Sequence, residues 1–186
     1  MTALSALWLP ILLSAVFVFI VSSIIHMVPL WHNNDYPMLQ KQDEVMNALR
    51  PMALPGGEYM LPRPQNMKEM RTPEFKEKFA RGPVMMMTVI PNPSMSIGKP
   101  LGLWFVYIVI TSVFSAHVAA AALPPGAVFA QICTVAGVAA FLAYASALWQ
   151  GVIWYHRSVS VAAKSTIDGA IYAFITAATF AWLWPR

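Results

Sequence analysis

Cysteine is almost missing from this chain of 186 residues: the one present, Cys133, lies in an apolar stretch. That excludes an internal disulfide framework and every motif that needs paired thiolates for zinc or redox chemistry. Charge is scarce as well, since Asp, Glu, Lys and Arg make up 11% of the residues while hydrophobic residues make up 58%. A soluble domain carries about 25% charged residues, so water is a poor candidate for this chain's main solvent. Catalytic signatures are lacking too. There is no Walker loop, no GxSxG, no CxxC, no HExxH and no dinucleotide fingerprint, and no reaction can be assigned from sequence.

What the chain does have is long apolar runs. Crossing a hydrocarbon core of about 30 Å takes about 20 apolar residues in a helix, and the stretches 4–30, 101–123, 127–149 and 166–184 meet that requirement. None shows the ten-residue alternation of a barrel strand, and an open sheet edge in lipid would leave backbone groups unpaired. The fold class expected is an all-α membrane protein: a four-transmembrane-helix bundle with a small α+β or irregular cytoplasmic insert between helices 1 and 2. Residues 1–30 form the first span, 31–100 the insert, and 101–186 the remaining three spans. The first run has no basic residue before it and no small-x-small exit, so it reads as a retained span rather than a cleaved signal.

Eleven of the twelve Lys and Arg residues fall in two loops, nine from Lys41 to Lys99 and then Arg157 and Lys164; only Arg186 lies elsewhere. The positive-inside rule then predicts a multi-pass protein of the cell (inner) membrane with the insert in the cytoplasm. Both termini and the turn Pro124-Pro125-Gly126 fall outside, in the periplasm if the host is bacterial. All seven tryptophans sit at ends of the apolar runs, where an indole finds both lipid and polar partners. Small residues repeat every four positions at Ser112, Ala116 and Ala120, at Ala139, Ala143, Ala147 and Gly151, and at Gly169, Ala173, Ala177 and Ala181. Such stripes predict close helix packing. The first run is rich in Val, Ile, Phe and Leu and is expected to pack peripherally or to face lipid or another subunit.

Within the insert, Thr72 caps a helix begun by Pro73 and closed by Gly82, with Phe75 and Phe79 on one edge. A second helix is expected over 40–49, and 58–61 pairs with 84–90 as a hairpin. The consecutive Met85, Met86 and Met87 suit adaptable packing better than a copper site, because a strand sends alternate side chains to opposite faces.

One polar set shares a single depth. His26, His32 and Asp35 follow the first run, His156 follows the third, and Asp168 begins the fourth one turn after Lys164. Imidazoles and carboxylates drawn from separate helices are ligands for Zn or another divalent ion, or parts of a proton-handling cluster. The rival explanations are solvation among headgroups and a structural network, with Lys164 and Asp168 as a local ion pair. A helical i, i+4 metal pair is excluded for His26 and His32, which are six residues apart across Pro29. His117, deep in the second run, requires a hydroxyl or carbonyl partner if buried.

Two functions are consistent with this reading. The first is an interaction or scaffold protein, an accessory subunit of a membrane assembly rather than an enzyme, with the bilayer and a protein partner or second copy as its contacts and no cofactor of its own. The alternative is a transporter or membrane enzyme built on the His/Asp set with a divalent metal. Nucleic acid is not an expected partner, because the basic residues are interleaved with acidic ones and attraction to anionic lipid accounts for them.

Overall fold

The computed structural model describes residues 2–28, 31–91, 93 and 95–186. Pro29 and Leu30, where the sequence reading ends the first apolar run, lie outside them. In chain order the elements are α1 (Trp8–Met27), α2 (Gln42–Leu49), β1 (Gly57–Leu61), α3 (Pro73–Arg81), β2 (Met85–Val89), α4 (Gly98–Ala122), α5 (Phe129–Phe141), α6 (Leu148–Tyr155) and α7 (Val159–Trp182). They fall into two compact units, one of Met1–Pro37 with Ser96–Arg186 and one of Met38–Met95.

Among the described residues of the first unit, three helical stretches are long and apolar enough to cross a membrane: Leu4–Met27, Gly98–Ala122 and Phe129–Tyr155. The third passes through a π-helical turn, Leu142–Ser146, between α5 and α6. Although α7 has 24 residues, Lys164, Ser165, Thr166 and Asp168 in its first half reduce its apolarity. On length and composition, therefore, the four expected spans become three. The packing nevertheless joins four rods in a ring, since α4 and α7 each contact both α1 and α5. At one end Thr2 N–H bonds the carbonyls of Ala120 and Leu123 at 3.0 and 3.1 Å, while Gly126 N–H bonds Pro185 O at 2.8 Å. The Trp184 indole N–H adds a bond to Pro124 O at 3.0 Å. Both ends of the chain thus meet the α4–α5 turn.

Close approach explains the tightest contact. A Cβ added at Gly137 would lie 3.1 Å from the Ala177 Cβ, and one added at Gly169 would lie 3.0 Å from the Ala145 Cβ. Two of the small stripes face this core, with Ser112, Ala116 and Ala120 buried on α4 and Gly169, Ala173 and Ala177 buried on α7. The third stripe is off by one helical row. Ala143 and Ala147 are exposed, and the buried row is Ile132, Ala136, Ala140 and Tyr144. Both rows contain alanines four apart, and the one carrying Tyr144 is selected because that ring packs edge-on against Tyr172 and Tyr107 and tilted against Trp104.

The expectation of a peripheral first span is also corrected. Along α1 and the turn before it, Leu7, Ile11, Ser14, Ala15, Val18 and Ser22 are buried. Ser14 and Ser112 share a hydrogen bond of 3.1 Å, and the Trp104 indole donates to Ser22 Oγ at 2.9 Å. Serines supply the close contact that Gly and Ala supply elsewhere. Trp8, Leu12, Val16, Ile20 and Ile24 remain exposed on the opposite side, and on α4 His117 is exposed rather than enclosed.

The second unit follows its local grammar. β1 and β2 pair antiparallel from Gly57 with Val89 to Leu61 with Met85. Thr72 Oγ1 accepts the Phe75 N–H at 3.2 Å to start α3, and Gly82 ends it at φ 61°, a conformation that favours glycine. Phe75 is the one large hydrophobic side chain buried among the described residues of this unit.

A candidate metal centre where the α1 exit meets α7

α1 ends at Met27, and the residues after Leu30 carry the polar set back toward α7. The Asp35 N–H bonds His32 O at 3.1 Å, a tight turn that brings the two side chains together, His32 Nδ1 to Asp35 Oδ2 at 2.6 Å. On the other side, Ser158 caps α7 by accepting the Val161 N–H. That helix start sets Lys164 and Asp168 one turn apart. They do not pair with each other as expected from spacing: Lys164 Nζ donates to Asp35 Oδ1 at 2.7 Å. Asp168 instead accepts the Trp31 indole N–H on Oδ1 and faces His32 Nε2 with Oδ2, each at 3.0 Å. A tertiary partner prevails here because each carboxylate is largely shielded from water, Asp168 being 4% exposed, and such a group needs every donor within reach.

His26 completes the cluster from the last turn of α1. Its ring stacks on that of His32 with centroids 4.6 Å apart and planes 11° from parallel. Its Nδ1–H donates to Ser22 O at 2.9 Å. One ligand atom from each of His26, His32 and Asp168 lies within 4.8 Å of the others, so this group can hold a metal ion.

The surrounding bonds prepare it for that task. A carbonyl only accepts, so the Ser22 contact fixes the hydrogen of His26 on Nδ1 and leaves Nε2 with its lone pair outward. Asp35 accepts from His32 Nδ1, and the Lys164 ammonium and then the His32 ring hold its carboxyl below the ordinary value of 3.8. His32 Nε2 faces Asp168 Oδ2, so it would serve as a ligand only where an ion takes the place of the hydrogen between them. Trp31 anchors the third ligand, and its ring lies 6.0 Å from Lys164 Nζ. Ligating imidazoles whose second nitrogen is held by a carbonyl or carboxylate are the general pattern of metal sites. The 3.0 Å between His32 Nε2 and Asp168 Oδ2 is already about the separation of neighbouring ligands on an ion with bonds of about 2.0–2.2 Å. His26 stands further off. It would have to tilt inward, because the lone pairs of two parallel rings do not meet at one point, and as the exposed member of the set it has room to do so.

Of the five residues singled out by sequence, His26, His32, Asp35 and Asp168 converge, and Asp35 supports His32 instead of joining the ligand group. His156 stands apart. It is exposed and ends α6 in a left-handed conformation at φ 51°, taking no part in the cluster's contacts. Trp31, Ser22 and the true partner of Lys164 were not legible as site members, since each acts through a tertiary bond. Comparison with protein-family models, with curated proteins and with solved structures yields no match, leaving the chemistry of the cluster to carry the functional argument.

Proposed function

We propose that this chain is a multi-pass membrane protein that binds a first-row divalent ion, Zn2+ by preference, through His26, His32 and Asp168. The observation that carries this reading is the convergence of the three ligand atoms within 4.8 Å, each backed by its own hydrogen-bond partner. Two imidazoles and one carboxylate suit Zn2+ and its neighbours better than Ca2+ or Mg2+, which prefer oxygen alone, or Cu(I), which prefers sulfur. Holding rather than carrying is the role favoured. All three ligands lie at one end of the ring of helices, while the contact between α5 and α7 is closed by Gly137 against Ala177. An ion there would clamp the exit of α1 to the first half of α7, as befits an accessory or scaffold subunit of a membrane assembly.

The membrane arrangement belongs to the same proposal. In it α7 is a fourth crossing, supported by the bonds that join Pro185 to the α4–α5 turn. The charge bias puts the insert and the metal cluster on the cytoplasmic face.

Metal titration of the full-length protein in mild detergent, after chelator stripping, tests the reading. One Co2+ or Zn2+ per chain is expected, with Co2+ giving the absorption of a mixed nitrogen and oxygen site. His26→Ala, His32→Ala and Asp168→Asn should each weaken binding by about 100-fold or more, as loss of a direct ligand exceeds loss of a supporting group. His156→Ala should bind like the wild type. A folded wild-type protein that takes up no ion at millimolar concentration would overturn the proposal.

A further inference from the structure

We propose that the Met38–Met95 unit is a membrane-surface module whose groove between β1 and α3 takes up lipid from an anionic bilayer. The groove has a volume of 340 Å³ and is lined by Met60 on β1, by Met70, and by Phe75, Lys76 and Phe79 on α3. Met60, Met70 and Phe79 are 38%, 43% and 43% exposed, too much apolar surface for a unit whose own core is little more than Phe75. Thioethers and a phenyl edge accommodate mobile chains without a fixed geometry. Lys76 lines the same groove and, among the described residues, has no ion-pair partner, so its ammonium can meet a phosphate in the manner of interfacial lysines.

Charge and connectivity choose the occupant. Between residues 62 and 81 there are six basic residues, Arg63, Lys68, Arg71, Lys76, Lys78 and Arg81, against three acids. One of those acids, Glu69, is already engaged by the Gln65 N–H. A basic, apolar-edged surface of this kind binds anionic headgroups. The unit is also tethered close by in the chain. Only Ser96 and Ile97 separate Met95 from α4, a reach of about 11 Å when extended, and α4 is long and apolar enough to cross a membrane. Chain connectivity thus tethers the unit to a candidate membrane span, whereas a soluble partner must arrive by diffusion.

The inference rests on α1 and α4 crossing the bilayer and not on the metal. Its test uses the full-length chain with Cys133→Ser and a single new thiol, Met70→Cys at the groove or Glu77→Cys on another face of α3. Each carries an environment-sensitive fluorophore in nanodiscs of neutral lipid or of neutral lipid with phosphatidylglycerol. A blue shift at position 70 with quenching by a shallow lipid-borne quencher, stronger in anionic discs and absent at position 77, is expected. Phe79→Glu should abolish the shift, and Lys68→Gln with Lys76→Gln should remove the preference for anionic lipid. A label at position 70 that stays water-exposed in anionic discs overturns the inference, as does burial seen only when two copies share a disc, which would mean a protein interface. Failure of the protein to co-elute with discs would count against membrane crossing itself, a separate result.

Discussion

Asp35 shows how much a single side chain can be asked to do. One oxygen holds Lys164 at 2.7 Å and the other holds His32 at 2.6 Å, so the group couples a cation on α7 to the orientation of an imidazole on the segment after α1. Its folded-state value lies below 3.8, owing first to the Lys164 hydrogen bond and then to that of His32. The sign follows from that direction. A carboxylate with a depressed value stabilises the folded arrangement above its ordinary range and loses that contribution as pH falls through the lowered value. Carboxyl NMR in detergent should find Asp35 titrating below 3.8, and Lys164→Met should move the midpoint back up. The same substitution should weaken metal binding about 10- to 100-fold by freeing the ring of His32, and Lys164→Arg should restore most of it. An unchanged affinity in Lys164→Met would show that the clasp does not position the ligand.

At the scale of elements, glycine and serine decide how near the helices come. Gly169 faces Tyr144 and Ala145 of the π-helical turn after α5, and even a methyl there would lie 3.0 Å from the Ala145 Cβ. Gly169→Val should lower stability by about 1–3 kcal/mol through overpacking, read as a fall in the thermal unfolding midpoint in detergent. Gly102 on α4 is the control. Nothing lies within 4 Å of a Cβ added there, so Gly102→Ala should leave the midpoint level or raise it, alanine being the better helix former. Equal losses at the two sites would show that close packing is not the cause. Local grammar was readable in the sequence wherever it depends on neighbours in the chain, as at the Thr72 cap, the Gly82 stop and the β1–β2 pairing. It failed where the choice lay between rows of one helix, because the row of Ala139, Ala143 and Ala147 is the smaller, while the buried row is the one whose Ile132 and Tyr144 find tertiary partners. The site divides along the same line. A shared depth for His26, His32 and Asp168 follows from counting residues along the spans, but their convergence depends on a chain reversal after α1 that no motif announces.

For the whole molecule the open quantity is the number of crossings, and α7 determines it. Its first turns carry Lys164 and Asp168, which reduce its apolarity, yet Lys164 is paired with Asp35, and Asp168 accepts the Trp31 indole N–H and faces His32, so neither need face lipid. Charges satisfied by neighbouring helices are tolerated at membrane depth in a way that exposed ones are not. Its other end is bound to the α4–α5 turn through Pro185 O and the Trp184 indole, so α7 should share both faces of the bilayer with α4. Single cysteines in a Cys133→Ser background, probed in intact cells with a membrane-impermeant thiol reagent, give the count. Four crossings require labels at positions 126 and 186 to react from one side, and labels at positions 71 and 157 only after the membrane is opened. Three crossings would instead place position 186 with position 157. That result would leave α7 lying against the bundle without spanning, and would move the bonds at Pro185 and Trp184 to a rearranged form of the protein.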